Sequence, residues 1–546
     1  MTTREPDDDR RSFASRTPVN DNPDQVDYRR AFITKHQVSG WRFVMRRIAS
    51  GVALHDTRML VEPLRAQTRA VLMGLLALAT VAAGCFVFTL IWPNGATADD
   101  PVLADKSTSA LYVRVGDQLH PVLNLTSARL ILGRSVNPTA VKSTALDKFP
   151  RGNLIGIPGA PERMVQNTTR DADWTVCDTV TGATTGVSVI AGPLSEGGSR
   201  AATLAARRAV LVDNGSGAWL LWDDKRSRID LADRAVTGAL GLGAPNTEVP
   251  APRRIATGLF NAIPEAPALA APVIADAGAK PAFDLPVPAP VGAIVAAHAL
   301  DGNSEGSLGY YAVLPDGLQP VSGVLAGVLR NTESYGLEKP PLLGADDISR
   351  LPVSHALDTS RYPEAPVTLT DPVHDPVTCA HWSKPAGAGI SSLTLLSGSA
   401  LPLRDGVRTL DLVGAGVGGT ATRVALAPGT GYFTQSTSDG PTGAAGPALG
   451  GLFWISDTGV RYGINTETGT GALAADGAGN ADPVAALGLN QPAVAVPWSV
   501  LSQFAPGPTL SRADALLAHD GLAPDQRPGR RPTAELGAAP NVGETR

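Results

Sequence analysis

Hydrophobic positions along this chain are arranged in three distinct ways. Ala70–Trp92 runs 23 residues without a charged side chain. As a helix rising 1.5 Å per residue it would reach roughly 34 Å, enough for the ~30 Å hydrocarbon layer of a membrane. Upstream, within Thr34–Leu60, the residues Val38, Trp41, Val44, Met45, Ile48 and Val52 recur at three- and four-residue steps with basic residues between them. That spacing predicts an amphipathic basic helix. Downstream the pattern changes to short alternating runs broken by Gly, Asp and Pro, which predicts strands and hairpins.

One arrangement recurs four times downstream: an apolar-aromatic strand, a tight polar turn, a second short strand and a helix of small residues. The strands open at Leu111–Val115, Trp219–Trp222, Tyr310–Leu314 and Leu452–Ile455. Their turns, at Gly116-Asp117, Asp223–Arg226, Asp316-Gly317 and Asp457–Gly459, carry residues that accept a positive φ. Each unit closes on an apolar residue before a Pro-rich stop: Phe149-Pro150, Ile263-Pro264, Tyr362-Pro363 and Phe504-Ala505-Pro506. Proline has no N–H to continue a helix, so these stops end the helices before them. The units are expected near 110–165, 217–270, 308–367 and 450–512, with strand-rich core stretches at 170–212 and 375–430. Cys177 and Cys379 lie 202 residues apart in the two core stretches, and Tyr112 and Tyr311 lie 199 apart. The near-equal offsets imply a tandem duplication, linked through the Ala- and Pro-rich residues 266–290.

Charge orients this layout. Eight basic residues fall between Arg30 and Arg69, among them Arg42, Arg46, Arg47, Arg58 and Arg65, against Asp56 and Glu62. Beyond the span come Asp99, Asp100 and Asp105, against Lys106. The positive-inside rule therefore puts a basic arm, residues 31–69, in the cytoplasm and residues 93–515 outside the membrane. Residues 1–30 and 516–546 are polar or Pro-rich and read as disordered tails. The expected class is α+β: a single transmembrane helix at 70–92 plus an elongated exported domain, with four small β-hairpin/helix repeat units around a central β-rich core. A net charge of -5 argues against a nucleic-acid binder.

Candidate chemistry is sparse. The exported cysteines, Cys177 and Cys379, stand in duplicated positions of an oxidising compartment, which favours one disulfide joining the halves. The other reading is a metal site of His374, Cys379 and His381, which lacks a fourth ligand and competes for the same sulfur. Ala82–Cys85 has the look of a lipoprotein cleavage box, but the apolar run continues past the cysteine. Gly302–Gly306 matches G-x-S-x-G, yet it precedes a strand, whereas a hydrolase elbow follows one. No Gly-Lys dipeptide occurs anywhere, so the usual phosphate-binding loop is absent.

The segments HQVSGWRFVMRRIASGVALHDTRM, PLRAQTRAVLMGLL, LYVRVGDQLHPVLNLTSARLILG, PRGNLIGIPGAPERM, DWTVCDTV and CAHW resemble the EccB family of the mycobacterial type VII (ESX) secretion system. The resemblance runs from about residue 31 to 515. It implies a structural core subunit in the inner membrane, bridging to a periplasmic assembly for protein export. The implied partners are EccC, EccD, EccE and the mycosin protease, together with other copies of the exported domain; the basic arm adds inner-membrane lipid as a partner. The resemblance also implies a central core pinned by a disulfide. Family members have been described as ATPases, so ATP enters as a cofactor only under that alternative; a cell-wall-binding module, using exposed aromatics such as Tyr310, is another. Trp41, Arg42, Arg46, Arg47, Arg58, Arg65 and Arg69 are the expected docking residues of the arm.

Overall fold

The computed structural model describes residues 35–55, 63–91, 100–182, 184–243, 249–298, 308–415, 419–437, 450–466 and 482–520. The chain divides into two compact parts, Met1–Asn94 and Gly95–Arg546. The first holds two helices. Lys35–Leu54 is the amphipathic helix. It stops short of the expected Leu60, because His55 turns to φ 53 while its N–H still reaches the Gly51 carbonyl at 3.1 Å. Pro63–Ile91 starts on a proline, whose missing N–H costs nothing in a first turn. Its window Thr68–Phe88, with mean hydropathy 2.4, is the one helix among the described residues long and apolar enough to cross a membrane. The helix runs on unbroken through Cys85, which is exposed and unpaired.

The second part is built from four repeats of one plan around a seven-stranded sheet. Each repeat opens with a strand, at Val102–Asp105, Arg208–Asp213, Ile294–His298 and Tyr432–Thr437. The hairpin pairs antiparallel beside it. A helix follows whose first backbone N–H groups are accepted by the side chain of Asn124, Asp233, Ser322 or Asp482; such caps are worth about 1 kcal/mol each. A short strand then returns parallel to the opening one. A second helix ends at the stop residues, which close the other edge of the sheet. There the carbonyls of Pro150, Pro264 and Pro352 accept the N–H groups of Leu119, Arg226 and Leu318, and Ala505-Pro506 pairs with Val460-Arg461.

Several boundaries depart from the sequence expectation. Arg208–Asp213, expected in the core, is the opening strand of the second unit. The third unit closes at Leu351-Pro352; Tyr362, two turns later in the chain, instead donates its hydroxyl to the Ala270 carbonyl. The expected linker begins with a strand, Glu265–Leu269, in the second unit's sheet. Its remainder packs on the third unit through Phe283, Leu285 and Val287. Residues 516–520, expected in the tail, hold on to the first unit, where His519 donates its backbone N–H to the Leu154 carbonyl at 2.9 Å. Residues 1–30 and 521–546 lie outside the described residues.

The cores show how the repeats associate. The first and fourth units share one, with Val113, Leu130 and Ile155 meeting Trp454, Leu487 and Leu510. The second and third share another, with Leu220 and Leu240 meeting Leu325 and Val328. One face of the central sheet packs on the second and fourth units: Trp174 lies edge-on to Tyr432 and Phe504 and donates its indole N–H to Ala495, while Trp382 joins Leu259 and Phe260 in the same cluster. The packing order is therefore first, fourth, central sheet, second, third. This is the order a tandem duplication makes when its halves meet about a two-fold.

Candidate functional site

The two halves meet at Cys177 and Cys379. The strands Ala172–Thr179 and Val377–Lys384 pair antiparallel in the middle of the central sheet, with Cys177 opposite Cys379 and Trp174 opposite Trp382. The cysteines form a disulfide with Cα atoms 4.0 Å apart. Both are fully buried, among Ile190, Ala201, Val377 and Leu396. The competing metal reading fails here, because the sulfur it needs is bonded to Cys177. His374 is instead exposed and paired with Asp371 at 2.6 Å. Among the described residues no group of three or more His, Cys, Asp or Glu is arranged to hold a metal ion.

On the opposite face, one residue after the cysteine, Asp178 forms a buried ion pair with Arg253 of the second unit at 3.1 Å. Asp178 also accepts the Ala256 N–H, and Arg253 donates to the Pro376 carbonyl. Burial pushes the Asp178 carboxyl up and the Arg253 guanidinium down, each opposed by the charge of its partner. On the cysteine face, two residues on from Cys379, His381 Nδ1 shares a 2.8 Å hydrogen bond with Thr175 Oγ1. Burial depresses the His381 imidazole, against the pull of Asp173 and Glu196. Sequence reasoning found the cysteines but missed this pair, since neither Asp178 nor Arg253 stands in a motif.

A groove of about 530 Å³ opens where the central sheet meets the fourth unit. It is bordered by Asn167, Thr169, Arg404, Arg408, Tyr432 and Asp457. This lining offers no lysine to a phosphate. Tyr310, expected to be exposed, is half-buried against the core shared by the second and third units. The G-x-S-x-G stretch at 302–306 lies outside the described residues.

In the N-terminal part the amphipathic helix presents its apolar side to solvent: Trp41 is 65% exposed, Ile48 55% and Val52 75%. Arg42 and Arg47 are exposed, Arg46 is partly covered, and Arg69 lies exposed at the start of the apolar window. Arg65 belongs to the same helix as Arg69, and Arg58 lies outside the described residues. The docking residues belong to the part Met1–Asn94, and the cysteines to the part Gly95–Arg546.

Several known proteins are similar to this chain. The family model described as type VII secretion system ESX-1, transport TM domain B, matches residues 30–524. The chain is 65% identical over 540 residues to the ESX-3 secretion system ATPase EccB3 of Mycobacterium tuberculosis H37Rv, covering 97% of this chain and 98% of the relative. A chain in the solved EccB3 dimer from the ESX-3 core complex is 59% identical with a TM-score of 0.65, covering 77% of this chain and all of that one. A chain of an intact ESX-5 inner membrane complex is 34% identical with a TM-score of 0.69, covering 92% of this chain and 98% of that one. With its membrane helix, its four repeats and its disulfide-joined halves, this chain belongs to the EccB family of type VII secretion systems.

Proposed function

We propose that the chain is a structural core subunit of an ESX inner-membrane complex. One observation carries this: along 92% of its length it shares the fold of a chain solved inside such a complex. In this reading the N-terminus is cytoplasmic, the basic arm docks on EccC, EccD or EccE or on the inner leaflet, and the body from residue 93 onward is periplasmic. There it joins further copies and the mycosin protease into the assembly that export passes through. The exposed apolar side of Lys35–Leu54 supports the docking role, because such a face left in water is costly and gains from a partner. The test replaces Arg42, Arg46 and Arg47 together with glutamate in cells. The complex should no longer co-purify, while the periplasmic body stays folded and protease-resistant; an intact complex would rule out docking through the arm.

The relatives' names attach an ATPase activity, which makes nucleotide hydrolysis the second reading. Purified protein that releases phosphate from ATP, and loses that release on substitution of Arg404 and Arg408 in the 530 Å³ groove, would establish it.

A further inference from the structure

The first and third repeats are duplicates, and one face of each has been charged differently. Their registers match: Tyr112 lies between Leu103 and Pro121, and Tyr311 between Val295 and Pro320. Their stops match as well, with Pro150 and Pro352 accepting the Leu119 and Leu318 N–H groups. The equivalent residues of the face carrying the second helix can therefore be paired. Arg114 corresponds to Val313, Lys142 before the helix to Gly344, Lys148 just past the helix to Arg350 at the end of its helix, and Arg151 to Val353.

In the first unit this face carries four cations and two acids: Asp147, which is paired with Arg151 at 3.2 Å, and buried Asp105, which accepts the Ser143 hydroxyl at the start of the second helix. In the third it carries one cation, Arg350, and two acids, Asp346 and Asp347, with Arg350 held 3.5 Å from Asp346. The face of the third unit lies under Phe283, Leu285 and Val287, whereas Lys142, Lys148 and Arg151 of the first are exposed. The two arginines of the first unit are also held in place. Arg114 stacks over Phe149 at 5.2 Å and Arg151 over Tyr112 at 4.8 Å, which sets guanidinium groups beside two half-buried aromatic rings. Cations flanking aromatic rings suit the water–lipid boundary, where the rings meet the headgroup region and the charges meet phosphate.

The chain's connectivity supplies the partner. Ile91 ends the membrane helix and Asp100 opens the first unit, so the nine links between them reach at most about 32 Å even fully extended. The third unit has no such tether. We infer that the Arg114–Lys142–Lys148–Arg151 face of the first repeat binds anionic phospholipid headgroups of the membrane the chain spans, fixing the periplasmic body to the bilayer. This inference needs the membrane helix and the repeat, and holds whether or not the assembly reading above is right.

The experiment uses the full-length protein in nanodiscs, either of phosphatidylcholine alone or of phosphatidylcholine with 30% phosphatidylglycerol. Lysine acetylation rates are followed by mass spectrometry. Lys142 and Lys148 should be acetylated at least about threefold more slowly in the anionic discs at low salt. The difference should vanish at about 0.5 M salt, where the screening length falls to a few ångströms. Exposed Lys280 and Lys339, near and in the third unit, should label equally in both discs. Replacing Arg114 and Arg151 with valine, the residue that the duplicate carries at both places, should weaken the protection. Equal labelling of Lys142 and Lys148 in the two discs overturns the inference, even if the variant fails to fold. So does equal protection of Lys339, which would mean that a protein contact or general adsorption covers the surface.

Discussion

Cys177 and Cys379 face each other across the central pair of strands, and their bond ties together two halves 202 residues apart in sequence. In the chain-entropy model a loop of that length adds about 5 kcal/mol to stability, less any native-state strain. Replacing both cysteines with alanine should leave the sheet paired, because its neighbouring strands are hydrogen-bonded independently. It should still lower the unfolding free energy by about 2–5 kcal/mol. Denaturant melts of wild type and variant, with and without reductant, check this: reductant should move the wild type toward the variant and leave the variant unchanged.

Asp178 and Arg253 join the central sheet to the second unit in the same region. A buried pair that loses one partner leaves an uncompensated charge, at a cost of about 3–5 kcal/mol. Arg253→Met should therefore be among the most destabilising single changes in the body. Adding Asp178→Asn removes the stranded charge while keeping an acceptor for the Ala256 N–H, and should restore most of the loss. A double variant no more stable than Arg253→Met would show that the charge is not what the pair satisfies.

The hairpins of the repeats were legible because turn residues and alternating apolar residues are local signals. Asp223 and Asp224 indeed take φ values of 44 and 58. The strands on either side of them were not legible. Arg253-Arg254 and Leu342-Leu343 are two residues long, and their pairing depends on partners 40 or more positions away. Tyr362-Pro363-Glu364-Ala365-Pro366 misled because it copies the wording of Ile263-Pro264-Glu265-Ala266-Pro267 without copying its place. Only the hydrogen bond from Leu318 to Pro352 reveals which proline closes the third sheet. The two cysteines could be read from their matching positions, whereas Asp178–Arg253 required knowing which strand reaches the second unit.

His381 links stability to pH. Burial depresses its imidazole below the ordinary value near 6.5, so the folded state resists a proton that the unfolded chain accepts. Its contribution is complete above about pH 6.5 and is lost as pH falls toward the depressed folded value. The melting temperature should drop between pH 7.5 and 5.5, and His381→Asn should flatten that part of the profile. Asp173 and Glu196, which favour the charged imidazole, oppose the drop. Neutralising either should therefore steepen it. A profile unchanged by His381→Asn would assign the acid sensitivity to other groups.

The junction of the second and third units makes opposite predictions for two glycines. The helices Arg234–Leu240 and Gly323–Thr332 cross there. A Cβ at Gly327 would come 3.0 Å from the Ala239 Cβ, so the helices approach only because that position lacks a side chain. Gly327→Val forces them apart and should cost about 1–3 kcal/mol, the usual penalty of overpacking. At Gly238 the nearest atom, Asn331 Nδ2, would be 3.7 Å away, an ordinary contact. Gly238→Ala should then stabilise by up to about 1 kcal/mol through helix propensity. Thermal melts give the two signs. Limited proteolysis gives the location: the 270–290 segment, which packs on the third unit, should be cut faster in Gly327→Val and no faster in Gly238→Ala. Two destabilised variants would mean that the junction tolerates no added atom on either helix, and that its close approach, rather than the single contact at Ala239, holds the second and third units together.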